Sequence, residues 1–141
     1  IENGLFESFH ENGQVDGKGN YKNGKDGLWE SYYENGQLKS KGNYKNGKDG
    51  LHEEYHENGE LKGRENYKNR KMVGLWESYY ENGQVNQKAN FIDGQLDGPL
   101  ETYNEYGQLV SRGNLKEGKE GKEFELKDLV WEYFDELPPL E

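Results

Sequence analysis

The sequence predicts an all-β fold: an elongated, largely single-layer antiparallel meander of tandem β-hairpin repeats, with a capping α-helix at its C-terminus. Three observations predict it. A motif recurs in about five units of 23 or 24 residues, as stacked supersecondary units do. Each unit carries a Gly-rich turn signal. The chain holds 20 Gly, 11 Tyr and 3 Trp among 141 residues, which is an enrichment in turn and strand formers.

Five units follow one another along the chain, and they assign residues 1–121 to a repeat array. The units span residues 4–26, 27–49, 50–73, 74–97 and 98–120. Within a unit, Asn35-Gly36 predicts a two-residue type I′ turn. Because an odd period would swap the faces of the sheet at every unit, one residue must be absorbed between units. A three-residue loop at residues 46–48, with Lys45 facing Asp49, would absorb it.

These turns fix a register that can be checked by charge. In the second unit, Glu30 falls opposite Lys41. The same rule places an acidic residue opposite a basic one in every other unit, and opposite charges across a strand pair stabilise a sheet. The other predicted pairs are Glu7–Lys18, Glu53–Arg64, Glu77–Lys88 and Glu101–Arg112.

On the other face, the register sets large side chains against small ones. Trp29 falls opposite Gly42 and Trp76 opposite Ala89, so that aromatic rings cover exposed backbone. A further row on this face is expected to hold Tyr33, His56 and Tyr80, alternating with aliphatic residues. The aliphatic residues are Val15, Leu38, Leu61, Val85 and Leu109.

The unit GLWESYYENGQLKSKGNYKNGKDG (residues 27–50) resembles the variant form of the MORN repeat, where MORN stands for membrane occupation and recognition nexus. The resemblance covers roughly residues 4–121 and implies a sheet of repeated hairpins. Bacterial proteins of this kind are commonly labelled as antitoxin-like or immunity-like components, and other MORN proteins as scaffolds or lipid-associated modules. The resemblance therefore implies binding rather than catalysis, and it offers no catalytic residues.

The third unit departs most from the repeat. His52 stands where other units have Trp, and Glu65 stands where the second unit has Gly. With Glu54 and His56 these residues are expected to form a polar patch on the aromatic face. A solvated patch is favoured over a metal site, because residues four apart on a strand are roughly 13 Å apart. The serines lack a paired His and acid at any distinctive spacing, so no enzyme activity and no cofactor are expected.

After residue 121 the period changes, and residues 122–141 predict an acidic amphipathic helix. Apolar residues recur at steps of three and four, which is typical of a helical stripe. The stripe is Leu126, Leu129, Val130, Tyr133, Phe134 and Leu137. Pro138 and Pro139 would end the helix. Such a helix either caps the last strand or docks a partner, with Trp131 lying off the stripe as an exposed anchor.

Charge narrows the choice of partner. The formal net charge is -10, which argues against nucleic acid and anionic membranes and favours a basic protein. No run of residues approaches the roughly 20 apolar residues of a spanning helix. The chain begins at Ile1, so we expect that an N-terminal segment preceded it. An antitoxin-like protein would be cytoplasmic, and a removed signal sequence would place the chain at the surface or in the periplasm.

We therefore expect a non-enzymatic, antitoxin-like protein that neutralises a basic toxin domain, such as a nuclease, by direct binding. A structural or surface scaffold with possible self-assembly is the alternative, and a membrane-associated module comes third. The candidate partner-binding residues are His52, Glu54, His56, Glu65, Trp29, Tyr33, Trp76, Tyr80, Trp131, Glu132, Asp135 and Glu136.

Overall fold

A computed structural model describes residues 3–122 and 124–134, and its strands form one antiparallel sheet. The strands are β1 (Gly4–Phe9), β2 (Val15–Tyr21), β3 (Lys25–Tyr32), β4 (Leu38–Tyr44), β5 (Lys48–Tyr55), β6 (Leu61–Lys68), β7 (Lys71–Met72), β8 (Gly74–Tyr79), β9 (Val85–Ile92), β10 (Gln95–Tyr103), β11 (Leu109–Leu115) and β12 (Leu129–Tyr133). Neighbours along the chain are neighbours in the sheet, and only the short β7 lies off the path, paired with β6. The predicted all-β meander is confirmed, and it does not close on itself.

The predicted charge register is also confirmed. Glu30 pairs with Lys41, and the other four predicted pairs occur as expected. Each basic residue also faces the acid of the next unit, as Lys41 faces Glu53. The result is an alternating row of 11 residues across what we call the charged face. Its members are Glu7, Lys18, Glu30, Lys41, Glu53, Arg64, Glu77, Lys88, Glu101, Arg112 and Glu132.

The predicted two-residue turn at Asn35-Gly36 is wrong. Tyr33 N donates to Gln37 O and Gly36 N to Tyr33 O, so the loop has three residues, with Gly36 in the left-handed region (φ 87). The Asn35 side-chain oxygen accepts from Gln37 N at 2.9 Å, which stabilises this longer loop. A bulge between Ser31 and Tyr32 then restores the predicted register further along the strands.

The turn between units also differs from prediction. Tyr44 pairs with Lys48 and Asn43 with Asp49, so Lys45 does not face Asp49. Asn46 (φ 56) and Gly47 (φ 106) both take left-handed backbone, a conformation that Asn and Gly tolerate best. A second register shift follows before Gly42 meets His52. The odd period is thus absorbed by bulges in the strands and not by the loop that we predicted.

The turns also relocate one predicted row. Leu38 pairs with Tyr32, Leu61 with Tyr55. Val15, Val85 and Leu109 pair equivalently with Phe9, Tyr79 and Tyr103. These aliphatic residues therefore do not alternate with the row of His and Tyr residues that includes Tyr33. Each of them lies opposite the aromatic residue that comes one position before a member of that row in the sequence.

The predicted C-terminal α-helix is wrong across its described part. Leu126–Asp128 form a single 3₁₀ turn, and Leu129–Tyr133 form β12, which pairs with β11. The open edge of β11 offers a full row of backbone partners, and Val, Trp and Tyr favour a strand. Leu129 is buried while Val130 is exposed, which is the alternation of a strand. Leu137, Pro138 and Pro139 lie outside the described residues.

The hydrophobic core is concentrated toward the C-terminal end of the sheet. Five of the six buried apolar residues in the described chain form one cluster there. They are Ala89, Phe91, Leu96, Leu100 and Leu129. Trp76, Phe124 and Trp131 pack against the cluster. The segment between β11 and β12 thus contributes Phe124 as a cover for the sheet, the role that we had assigned to a helix.

Candidate functional site

The aromatic face is built from rings that lie over glycines. The ring of Trp29 fills the space where a Cβ atom on Gly19 would stand, 2.2 Å from the ring. Its indole Nε1 donates to the carbonyl of Asn20 at 2.9 Å, and Phe6 and Tyr21 pack on it with ring centroids 5.9 and 5.0 Å away. Only 9% of Trp29 is exposed, so this ring serves packing more than contact with a partner.

His52 takes the place of the Trp in the third unit without changing the architecture. Its ring covers Gly42, and its Nε2 donates to the carbonyl of Asn43 at 2.7 Å, as the Trp29 indole does to Asn20. Burial lowers the pKa of His52, which keeps the ring neutral at pH 7. His52 is therefore largely buried, whereas we had expected it in a solvated polar patch.

Glu65 lies opposite His52 and is held by two neighbours. The Tyr67 hydroxyl donates to its carboxylate at 2.8 Å, and Lys48 Nζ lies 3.3 Å away. Burial, followed by this hydrogen bond to Glu65, raises the pKa of Tyr67. Glu54 lies on the next residue row, opposite Ser40 and Gly63, and is exposed. No cluster of three or more possible metal ligands occurs within residues 3–122 and 124–134.

The candidates Tyr33, His56 and Tyr80 connect successive units. The Tyr33 hydroxyl donates to Tyr55 O at 2.6 Å and the Tyr80 hydroxyl to Tyr103 O at 2.7 Å. His56 Nε2 donates in the same way to Tyr79 O at 2.8 Å. Their polar atoms are thus occupied by the backbone of the next hairpin, which gives this row a structural role that the sequence did not indicate.

The remaining candidates lie at the C-terminal end. Trp76 packs against the hydrophobic core. Trp131 lies in β12, opposite Gly113 and against its backbone, and Glu132 lies opposite Arg112. These positions copy Trp29 over its glycine and Glu30 beside its basic partner. The signal was an aliphatic residue followed by Trp-Glu, as in Leu28-Trp29-Glu30 and Val130-Trp131-Glu132, which the helical spacing obscured. Asp135 and Glu136 lie outside the described residues.

A groove of about 570 Å³ runs beside the aromatic rings across the first four units. One wall carries Phe6, Trp29, His52 and Trp76. The floor is a row of residues that pair across the strands, and all of them are small or carry a hydroxyl group except Glu54, which lies between Ser40 and Gly63. The other floor residues are Ser8, Gly17, Ser31, Ser40, Gly63 and Ser78. Glu54 and Lys62 stand at this groove, so of the four residues in the predicted polar patch Glu54 remains the most accessible.

The hairpin tips form an acidic edge that we did not predict. Every tip carries an exposed Glu just before its Asn-Gly or Tyr-Gly turn. These residues are Glu11, Glu34, Glu57, Glu81 and Glu105. In a meander every second turn lies on the same edge, so the five carboxylates form a row at intervals of about 9.6 Å. Their side chains make no ion pair within the described chain.

The tips are held to one another by asparagines. The Asn12 side chain donates to Glu34 O at 2.7 Å and Asn58 to Glu81 O at 3.1 Å. Asn35 and Asn82 make the equivalent bonds to the carbonyls of Glu57 and Glu105. Each Glu backbone is therefore fixed relative to the next while its carboxylate points into solvent.

Comparison with known proteins agrees with this repeated architecture. No helix within the described residues is long and apolar enough to cross a membrane. A comparison with curated proteins found no match to the chain. Residues 2–23, 25–46, 48–69 and 72–93 each match one protein family, described as the MORN repeat variant. These four matches cover more than half of the 141 residues, and the chain therefore belongs to the MORN repeat variant family.

Proposed function

We propose that this chain is a non-enzymatic protein-binding module that holds a basic protein against its acidic edge. The row of tip glutamates carries the proposal. Five unpaired carboxylates at regular spacing, on backbones fixed by the asparagine bonds, form a negative surface whose backbone is already ordered before it binds. A regular negative surface steers a positively charged partner and favours its orientation.

The mode of action that we propose is antitoxin-like: the chain neutralises a toxin domain that approaches nucleic acid through a basic surface. The formal net charge of -10 supports this, because an acidic protein can occupy such a surface in place of phosphates. The aromatic face is a weaker candidate for the main contact with the partner, since Trp29 and His52 are each only 9% exposed. Glu54, beside the groove, would supplement the edge.

The test uses the intact chain as bait in its native cells, followed by measurement of Kd for the captured partner. The variant Glu34→Gln, Glu57→Gln and Glu81→Gln should bind about tenfold more weakly, because three exposed ion pairs contribute about 0.5 kcal/mol each. A matched control, Asp93→Asn, Asp97→Asn and Glu117→Gln, makes the same change in net charge in and next to the turns of the opposite edge and should change Kd by less than about twofold. Equal weakening by both variants would overturn the assignment of the edge, and failure to capture any basic protein would overturn the function.

A further inference from the structure

The two long edges of the sheet, which are the sides where the strands end and the turns lie, carry opposite charge. The hairpin tips contain six Glu and no Lys or Arg. The turns at the opposite edge contain nine Lys or Arg and two acidic residues. The tips are residues 10–14, 33–37, 56–60, 80–84 and 104–108, and the opposite turns are residues 22–25, 45–48, 68–71, 92–95 and 116–119. The meander sorts these charges, because successive turns alternate between the edges.

Most of the basic side chains are exposed and unpaired. Lys48 and Lys119 bond to carboxylates of the chain itself. Lys22, Lys45, Lys68, Arg70 and Lys71 are exposed and make no ion pair within the described residues. Arg70 packs its stem over Gly47 of the preceding turn, which links neighbouring turns. We call the first three of these turns, residues 22–25, 45–48 and 68–71, the basic edge.

The spacing of the two edges matches, because both follow the same repeat. Tips and basic turns each recur every two strands, or about 9.6 Å, and they are offset from one another by one strand, about 4.8 Å. A second copy placed beside the first and shifted by one strand therefore brings three tips next to three basic turns at once. Glu11 would lie by residues 22–25, Glu34 by residues 45–48 and Glu57 by residues 68–71.

We propose that copies of this chain associate side by side, with the acidic edge of one copy against the basic edge of the next. The interface is heterologous, so each copy leaves one edge free and the assembly grows as a row. This inference is independent of the basic partner proposed above. It implies competition at the acidic edge, since a basic partner and a second copy would use the same glutamates.

The net charge of -10 does not prevent this contact at moderate salt. The Debye length is about 10 Å at 0.1 M ionic strength, so charges on the far side of a sheet about 20–30 Å wide are largely screened. The charges in direct contact are screened less. Association should therefore be strongest where the salt is low enough to keep contacts but high enough to weaken the general repulsion.

A charge-swap experiment by sedimentation velocity tests the interface. Wild-type protein should self-associate at about 0.1 M salt and dissociate at about 1 M salt. One variant reverses the basic edge (Lys22→Glu, Lys45→Glu, Lys68→Glu) and another reverses the tips (Glu11→Lys, Glu34→Lys, Glu57→Lys). Each alone should associate at least about tenfold more weakly, and an equimolar mixture should regain association, as rows in which the two variants alternate.

The mixture also controls for general attraction, because both variants stay acidic overall. From -10, reversal of three lysines gives a net charge of -16 and reversal of three glutamates gives -4, so their bulk charges repel. Far-ultraviolet circular dichroism would verify that both remain folded. A monomeric wild type at every salt concentration, or a mixture that stays monomeric, would overturn the interface. Since no other protein is present, either result would leave the basic-partner proposal standing.

Discussion

Two glycines of β2 share a strand but differ in what lies above them. A Cβ on Gly19 would stand 2.2 Å from the Trp29 ring, whereas a Cβ on Gly17 would meet its nearest atom at 3.5 Å. Neither glycine needs left-handed backbone. The pair therefore separates the packing requirement of the aromatic row from the general effect of glycine in a strand.

We expect Gly19→Ala to destabilise the protein by about 1–3 kcal/mol, because the buried indole must move and lose its bond to Asn20. The free energy of unfolding of Gly17→Ala should lie within about 1 kcal/mol of the wild-type value. A small increase in stability is expected, because alanine reduces the conformational freedom of the unfolded chain. Urea denaturation of both variants would measure the difference. Equal costs for the two substitutions would mean that the ring does not depend on the glycine beneath it.

For single residues, the sequence predicted which residues pair across the strands better than it predicted how deeply each side chain is buried. Glu30 and Lys41 were paired correctly because charge and alternation depend only on register. The burial of His52 was not predicted. Its backbone acceptor, the carbonyl of Asn43, is the same kind of atom that Trp29 uses, and a carbonyl has no residue-specific signal. A His at a Trp position was therefore interpreted as a surface feature although it substitutes for the indole in the core.

At the scale of elements, β12 gives the sharpest test of the corrected C-terminus. In the structure Trp131 covers Gly113 while Val130 is 57% exposed. A helix with the predicted stripe would reverse these positions. We expect Trp131→Ala to cost about 3 kcal/mol, as for truncation of a large packed aromatic residue, and Val130→Ala to cost less than about 1 kcal/mol. Thermal unfolding of the two variants would decide, and a larger loss for Val130→Ala would contradict the strand.

The error in this element has a physical origin. Leu126, Leu129, Val130 and Tyr133 fit a helical stripe by spacing alone, and a short apolar run does not distinguish a helix from a strand. The deciding factor is the unpaired edge of β11, which exists only once the sheet has formed. The turn predictions were wrong for a related reason. Asn-Gly occurs both in the hairpin tips and in the turns between units. The bulges near Ser31 and Gly42 determine the loop that forms at each of these turns.

For the whole molecule, the uneven core predicts uneven stability. A repeat array is stabilised by contacts between neighbours, and the buried cluster of five residues lies between β9 and β12. We expect the amide hydrogens of β9–β11 to exchange most slowly and those of β1 and β2 to exchange first. Hydrogen exchange followed by mass spectrometry would measure this gradient. Uniform protection along the chain would show instead that the sheet opens as one unit.

The charge pattern of the edges also exists only at this scale. The repeated Glu-Asn-Gly and Lys-Asn-Gly-Lys segments are visible in the sequence, yet they alternate along the chain and average out in any local window. The meander separates them onto opposite edges. Composition alone predicted an acidic protein, and the sheet topology shows in addition that the acidic turns and the basic turns lie on opposite edges.

The hydrogen bonds between hairpin tips bear on how such a chain changes length during evolution. Each asparagine donates forward, from Asn12 to Glu34 and from Asn58 to Glu81, whereas the last tip has Tyr106 at the equivalent position, which carries no side-chain amide to donate. A duplicated unit inserted before the last one would receive a donor from behind and supply one ahead. Gene duplication within the array therefore leaves no donor unsatisfied, and selection can adjust the reach of the acidic edge one hairpin at a time.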